Sequence, residues 1–238
     1  MQDWLDRTRL LLKEDKLKKL KKAHVLVIGL GGVGSYATEF LTRSGVGSLT
    51  IIDGDVVERS NINRQLPALN STLGMPKTAV MKQRLKDINP DLKLKLITDF
   101  ITPEQFDNLL LENDYNYIID AIDSVSPKIF LLKAAKQKKI KIISAMGAGG
   151  KTDPAKVKVA DISKTREDFL ARVVRKRLKK HGIHKGIKCV FSTELQDENA
   201  LQMTNDTDFK ISHYGTISYM PALFGLYAAA EVIKYLTK

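Results

Sequence analysis

The stretch from Val25 to Leu41, VLVIGLGGVGSYATEFL, places β-favouring apolar residues ahead of Gly29, Gly31, Gly32 and Gly34 and an amphipathic helical pattern behind them. Gly29-Leu-Gly31-Gly32-Val-Gly34 satisfies G-x-G-x-x-G, and between a strand and a helix such a loop cradles phosphate. Gly29 permits the tight turn. Gly31 and Gly32 let backbone N–H groups approach phosphate oxygens, and Gly34 lets the helix pack closely on the sheet. The helix N-terminus then adds unpaired N–H groups and a partial positive charge. Asp53 ends the next apolar run, where it can accept hydrogen bonds from a ribose. These features suit NAD and ATP equally.

The residues that separate the two lie downstream. Asp53-Gly-Asp55 leads into Arg59-Ser-Asn61-Ile-Asn63-Arg64-Gln65, and then Gly74-Met-Pro76-Lys77 follows. Hydride transfer needs neither Arg64 nor Lys77 beyond the second strand. Cleavage of ATP between its α- and β-phosphates needs fixed cations, because negative charge builds on the departing pyrophosphate. Asp120 and Asp123, in DAIDS, follow at the end of another apolar run, and a carboxylate there can hold Mg²⁺. Each charge alone reads first as a surface ion pair; together with the glycine loop they point to triphosphate chemistry. The single cysteine, Cys189, rules out an intramolecular disulfide and a multi-cysteine zinc site. It is a candidate nucleophile for a thioester, set against a plain small residue beside Val190 and Phe191. His24 reads as structural, His181 and His184 fall in a basic segment, His213 has no assigned role, and the four show no metal-ligand spacing.

These residues need a frame. Apolar β-rich runs occur at His24–Gly29, Ser48–Asp53, Leu92–Ile97, Asn116–Ile122 and Ile140–Ala145. Helical patterns alternate with them near Val33–Ser44, Pro76–Ile88, Pro103–Glu112 and Pro127–Gln137, three of them opening on proline. That order predicts an α/β fold, a doubly wound, Rossmann-like, mostly parallel sheet. After Gly150 the rhythm changes. Lys156–Ile162 alternates like a strand, Thr165–His181 reads as a basic helix, 183–210 shows no clear period and is expected to carry loops, and Tyr219–Tyr235 reads as a closing helix. The expectation is one domain over 1–238, with a helical arm over 1–22, a nucleotide-binding core over 23–150 and an irregular C-terminal elaboration over 151–238.

The bulk properties add a partner. The chain has 238 residues, 43% of them hydrophobic, and a formal net charge of +12. A basic balance favours anionic partners such as nucleic acid, and Arg172–Lys188 (RVVRKRLKKHGIHKGIK) resembles a polyanion-facing arm. Met1–Lys22 is charged and lacks the apolar run of a secretory leader, and Tyr219–Leu236 is interrupted by Pro221, Glu231 and Lys234. The expectation is a cytoplasmic protein without an integral membrane segment.

GLGGVG, DGD, SNINRQ, GMPK and DAIDS, in that order, resemble the ubiquitin-activating-enzyme-like superfamily, over about residues 7–150. The resemblance implies that Gly32 lies under the phosphates, that Asp53 binds the ribose, that Asn61, Arg64 and Lys77 contact the triphosphate and that Asp123 binds Mg²⁺. It also implies that Arg7, in Asp6-Arg7-Thr8-Arg9, reaches into the neighbouring subunit's site in a homodimer, with Arg9 as substitute. Members that adenylate sulfur-carrier proteins usually carry two CxxC pairs, which this chain lacks. IDAIDSV with Pro127-Lys128, Gly147-Ala-Gly-Gly150, Asp153-Pro154 and Lys188-Cys-Val-Phe-Ser-Thr-Glu194 are instead similar to the tRNA threonylcarbamoyladenosine dehydratases, over nearly the whole chain. That branch implies ATP-dependent cyclisation through an acyl-adenylate, with a tRNA anticodon stem-loop carrying threonylcarbamoyladenosine as partner and a sulfur-relay protein as a further one. The rivals are adenylation of a carrier protein's C-terminus, NAD-dependent redox chemistry, and a non-catalytic tRNA-binding module.

Overall fold

A computed structural model describes residues 3–111, 113–207 and 210–238. Glu112, the last residue of one expected helix, therefore lies outside the described residues, as does the side chain of His213. Among the described residues the α-helices are α1 (Asp6–Lys22), α2 (Gly34–Arg43), α3 (Lys77–Ile88), α4 (Pro103–Leu111), α5 (Val125–Gln137), α6 (Phe169–Lys179) and α7 (Tyr219–Leu236). The strands are β1 (His24–Ile28), β2 (Ser48–Ile52), β3 (Lys93–Ile97), β4 (Tyr117–Asp120), β5 (Ile142–Ala145), β6 (Val157–Asp161), β7 (Lys188–Ser192), β8 (Leu201–Thr207) and β9 (Lys210–Tyr214).

Seven strands form one sheet in the order β3-β2-β1-β4-β5-β7-β6, and β8 and β9 pair separately as an antiparallel ribbon. All neighbours in the large sheet are parallel except β6, which runs against β7. The alternation of side chains explains why both faces are covered. Val25 and Val27 of β1 face a core shared with α1, α2, α3 and α7, while Leu26 and Ile28 face a second core built with α4, α5 and α6. The sheet is thus doubly wound. Its topological switch lies between β1 and β4, whose carboxyl ends open a crevice.

Most expected elements appear with ends shifted by a few residues. Two differences have physical causes. The basic helix starts at Phe169 rather than Thr165, because Asp168 accepts a hydrogen bond from the Ala171 N–H (2.9 Å) and caps it there. Segment 183–210, expected as loops, contributes β7, which inserts between β5 and β6. Its Cys189, Val190, Phe191 and Ser192 are all buried, so it lacks the polar–apolar alternation that marks a half-exposed strand.

Candidate active site

The turn after β1 is shaped by contacts that forbid side chains. Gly29 has φ +89°, and a Cβ there would meet the Ala121 carbonyl oxygen at 2.7 Å. A Cβ on Gly34 would fall 1.7 Å from the Gly29 carbonyl oxygen, so α2 approaches the turn more closely than any other residue allows. Gly31 is different: its nearest neighbour is the Gln65 side chain at 3.7 Å, which leaves ordinary room beside the loop. Gly32 packs under Pro221 of α7 and the Arg64 carbonyl.

Asp53, just past β2, ties this loop down. Its Oδ2 accepts from the Leu30 N–H (2.5 Å) and its Oδ1 from the Asp55 N–H (2.8 Å). Burial pushes its carboxyl up, while Lys77 and the two backbone donors pull it back down. Each oxygen keeps a lone pair for a ribose hydroxyl. Lys77 opens α3 with its side chain 5% exposed, and its Nζ lies 2.7 Å from Asp55 Oδ2. One of its three N–H donors is therefore engaged and two remain.

The segment that includes Asn61 and Arg64 folds back over the glycine loop. The buried Asn61 serves its own turn: its Oδ1 accepts from the Glu58 N–H (3.2 Å), and its Nδ2 donates to Ser60 Oγ (3.2 Å). Arg64 donates to the Ser60 carbonyl (2.8 Å) and to Asn63 Oδ1 (2.9 Å). Burial lowers its proton affinity, and the fields of Asp123 and Glu58 oppose that shift. Arg64 and Asp123 are therefore electrostatic neighbours across the crevice. Asp120 is spent elsewhere: it accepts from Lys128 Nζ (2.7 Å), Ser144 Oγ (2.6 Å) and the Ile122 N–H (3.0 Å). Asp123 is the exposed carboxylate after that strand end, and its Oδ1 accepts from Ser124 Oγ (3.4 Å).

The structure thus gathers Gly29, Gly31, Gly32, Gly34, Asp53, Asp55, Asn61, Arg64, Lys77 and Asp123 at one sheet edge. Arg7 is not among them. Leu5 packs on Gly45, beyond the far end of α2, so Arg7 lies near the opposite edge of the sheet. The exposed Arg7 is open to another chain, whereas Arg9 is bound up with Asp3, Asp6 and Glu14.

Cys189 is likewise elsewhere, 0% exposed in the core with Leu26, Ile142 and Phe191. Burial pushes its thiol well above the ordinary range, and a thioester acceptor needs access that this position lacks. Cys189→Ala is expected to keep pyrophosphate release within about twofold of the parent, and thiol reagents should label Cys189 only as the chain unfolds; rapid native-state labelling would contradict this placement. His24 is structural: Nε2 lies 2.9 Å from Thr50 Oγ1, the ring stands 4.6 Å from that of Tyr115, and burial lowers its pKa.

Two features escaped the sequence reading. Gln65 Oε1 is buried without a hydrogen-bond partner among the described residues, while the Nε2 of the same amide is the atom nearest Gly31. The second is a cleft of about 670 Å³, lined by Asn63, Gly150, Lys151, Thr152, Glu194 and Thr216 among others. Glu194 shapes its wall by accepting from the Thr152 N–H (3.0 Å) and Asp153 N–H (2.8 Å), and Asn63 Nδ2 donates to the Thr216 carbonyl (2.9 Å). The cleft therefore lies between the C-terminal elaboration and Asn63, in the segment that folds over the glycine loop.

A model of the ThiF family matches residues 5–238. The chain belongs to the ThiF family. Within that family it groups with the tRNA threonylcarbamoyladenosine dehydratases: the one from Bacillus subtilis is 40% identical over 98% of this chain and 94% of that protein. The crystal structure of the Escherichia coli dehydratase TcdA in complex with ATP superposes with a TM-score of 0.89 at 37% identity, over 98% of this chain and 93% of the other. The molybdopterin-synthase adenylyltransferase of Haemophilus influenzae is 32% identical, but over only 55% of this chain and 53% of its own length. The likeness to ThiF-family dehydratases thus includes the elaboration after residue 150, and the likeness to that carrier-protein enzyme is partial.

Proposed function

We propose that this chain catalyses the ATP-dependent dehydration of threonylcarbamoyladenosine in tRNA. The observation that carries the reading is the full-length likeness to the dehydratases together with a complete charged set around the glycine loop. The threonyl carboxylate attacks the α-phosphate of ATP and pyrophosphate leaves. An atom of the neighbouring carbamoyl group then attacks the activated carbonyl, closes a ring and expels AMP. The net change is loss of water, with ATP converted to AMP and pyrophosphate. The second step is intramolecular, so positioning alone contributes several kcal/mol, up to about 7–11 in well-oriented cases.

In this reading the glycine-loop amides and the start of α2 hold the phosphates, Asp53 the ribose, and Arg64 and Lys77 the departing pyrophosphate, with Asn61 and Asp55 fixing the segments that carry them. Mg²⁺ fits the donor set. Among the described residues no three His, Cys, Asp or Glu cluster into a metal cage, but Mg²⁺ is commonly held by one or two carboxylates plus substrate phosphates. Exposed Asp123 would supply that carboxylate, and the ion would neutralise phosphate charge. Arg7 would complete the site of a second subunit, which makes the working form a homodimer. The arm, core and elaboration act as one unit in the cytoplasm, and a sulfur-relay protein is a further partner.

Pyrophosphate release should be measured with tRNA carrying threonylcarbamoyladenosine, with tRNA lacking it and with a carrier protein ending in glycine. Release with the first alone supports the reading. Release with the carrier protein alone replaces it.

A further inference from the structure

A second, smaller pocket lies between α5 and α6, with a volume of about 310 Å³ and walls of Ser126, Ile129, Phe130, Arg177, Lys180 and His181. Its composition is unusual for a surface crevice. Phe130 is 42% exposed, although α5 buries Ile129, Leu131 and Leu132 beside it. Arg177 is oriented by donating from Nη1 to Ser126 Oγ at 3.1 Å. Neither Val125–Gln137 nor Phe169–Lys179 contains a carboxylate, while α6 alone carries Arg172, Arg175, Lys176, Arg177 and Lys179. An aromatic face, an oriented guanidinium and a run of neighbouring cations are the means by which proteins hold an unstacked nucleotide: the base stacks and the phosphate is neutralised. An acidic protein segment would use the cations but leave the exposed ring without a role.

Position adds the second argument. Ser126 stands three residues after Asp123, in the first turn of α5. The pocket's rim is therefore joined to the crevice at the β1–β4 switch by the short segment from Asp123 to Ser126. We infer that the α5–α6 pocket seats one unstacked nucleotide of the tRNA next to the residue being cyclised, with Phe130 as the stacking face and Arg177 and Lys180 on its phosphates. This inference rests on the proposed dehydratase reading and adds to it the place where the substrate is gripped.

The test uses the full chain and a fluorescently labelled anticodon stem-loop carrying threonylcarbamoyladenosine, titrated at several salt concentrations. Phe130→Ala should weaken binding about tenfold or more with no change in salt dependence. Phe130→Trp should restore it, because the stacking face returns. Lys180→Ala should weaken binding and reduce the slope of log affinity against log salt by about one. In both Phe130→Ala and Lys180→Ala, pyrophosphate release at saturating RNA should stay near the parent value, so that KM moves and kcat does not. The partial exposure of Phe130 keeps its truncation from threatening the fold, and the Trp variant checks this. Binding by Phe130→Ala within about twofold of the parent, in a preparation whose parent releases pyrophosphate with modified tRNA, overturns the pocket assignment alone. So does a loss that Phe130→Trp leaves unrepaired, or a loss confined to an acidic carrier protein. A parent chain that releases no pyrophosphate with modified tRNA overturns the dehydratase reading and this inference with it.

Discussion

Lys77→Ala is expected to slow pyrophosphate release about 10²–10³-fold at saturating substrates, while tRNA affinity stays within about twofold of the parent. The size follows from where the ammonium sits. Lys77 opens α3, so its charge adds to the partial positive charge of a helix N-terminus. Its side chain is 5% exposed, which removes most of the water that would screen it from a phosphate. Asp55 holds Nζ at 2.7 Å and so fixes its position before the reaction begins, with no reorganisation left for the transition state. The fold should survive, because the Asp55 side chain is 53% exposed and hydrates once its partner is gone. Lys77→Arg should not restore the rate: a planar fork replaces a compact charge in a space packed for the latter. Turnover of Lys77→Ala near the parent value would remove the electrostatic basis of the proposed mechanism.

The components of this site were legible in the sequence as types in order: glycines after an apolar run, an aspartate ending the next, then arginine, lysine and aspartate beyond successive elements. Their partnerships were not. Asp53 reaches back to the Leu30 N–H, and Lys77 to Asp55. Both links span more than twenty residues, and no local period encodes such a distance. Asn61 is a ligand contact by resemblance alone; what the fold adds is its place in its own turn, where its amide oxygen accepts from the Glu58 N–H. Arg7 and Arg9 were interchangeable in sequence. The fold separates them, because Asp6 and Glu14 stand near Arg9 on the same arm and Asp3 joins them. Gln65 was visible only as one polar residue among several; its unpartnered buried oxygen emerges once the segment folds over Gly31.

The sheet was legible where strands and helices alternate, because each βα unit carries its own punctuation in glycine or proline. It was least legible at β7. Lys188–Ser192 is short, buried on both faces and flanked by basic residues on one side and polar ones on the other. Its identity as a strand is set by Ile143–Ala145 on one edge and Val157–Asp161 on the other, pairings that no window of the sequence contains. The same holds for Cys189. A lone cysteine in an aperiodic segment is ambiguous, and only the pairing with Ser144 and Ala160 places it inside a core.

Lys128→Met should destabilise the protein by about 3–5 kcal/mol, since removing one partner of a buried ion pair leaves the other charge without compensation. For a chain of this length that corresponds to a fall in Tm of roughly 6–20 °C. Lys128 and Asp120 are both 0% exposed, with Nζ and Oδ2 2.7 Å apart. The lysine also donates to Ser144 Oγ (3.2 Å) and the Ala145 carbonyl (3.0 Å), so all three of its N–H groups are used. Asp120→Asn added to Lys128→Met should recover more than half of the loss, because the amide oxygen can still accept from the Ile122 N–H without a buried charge. The pair also bears on the reaction. The Ile122 N–H bond to Asp120 sets the turn that carries Asp123, three residues further on, to the mouth of the crevice. Lys128→Met should therefore lower pyrophosphate release even at temperatures where it is fully folded, and the double variant should regain stability further than it regains rate. A single variant with the parent's Tm would mean that the interior here tolerates a lone carboxylate, and the rigid base assigned to Asp123 would be lost.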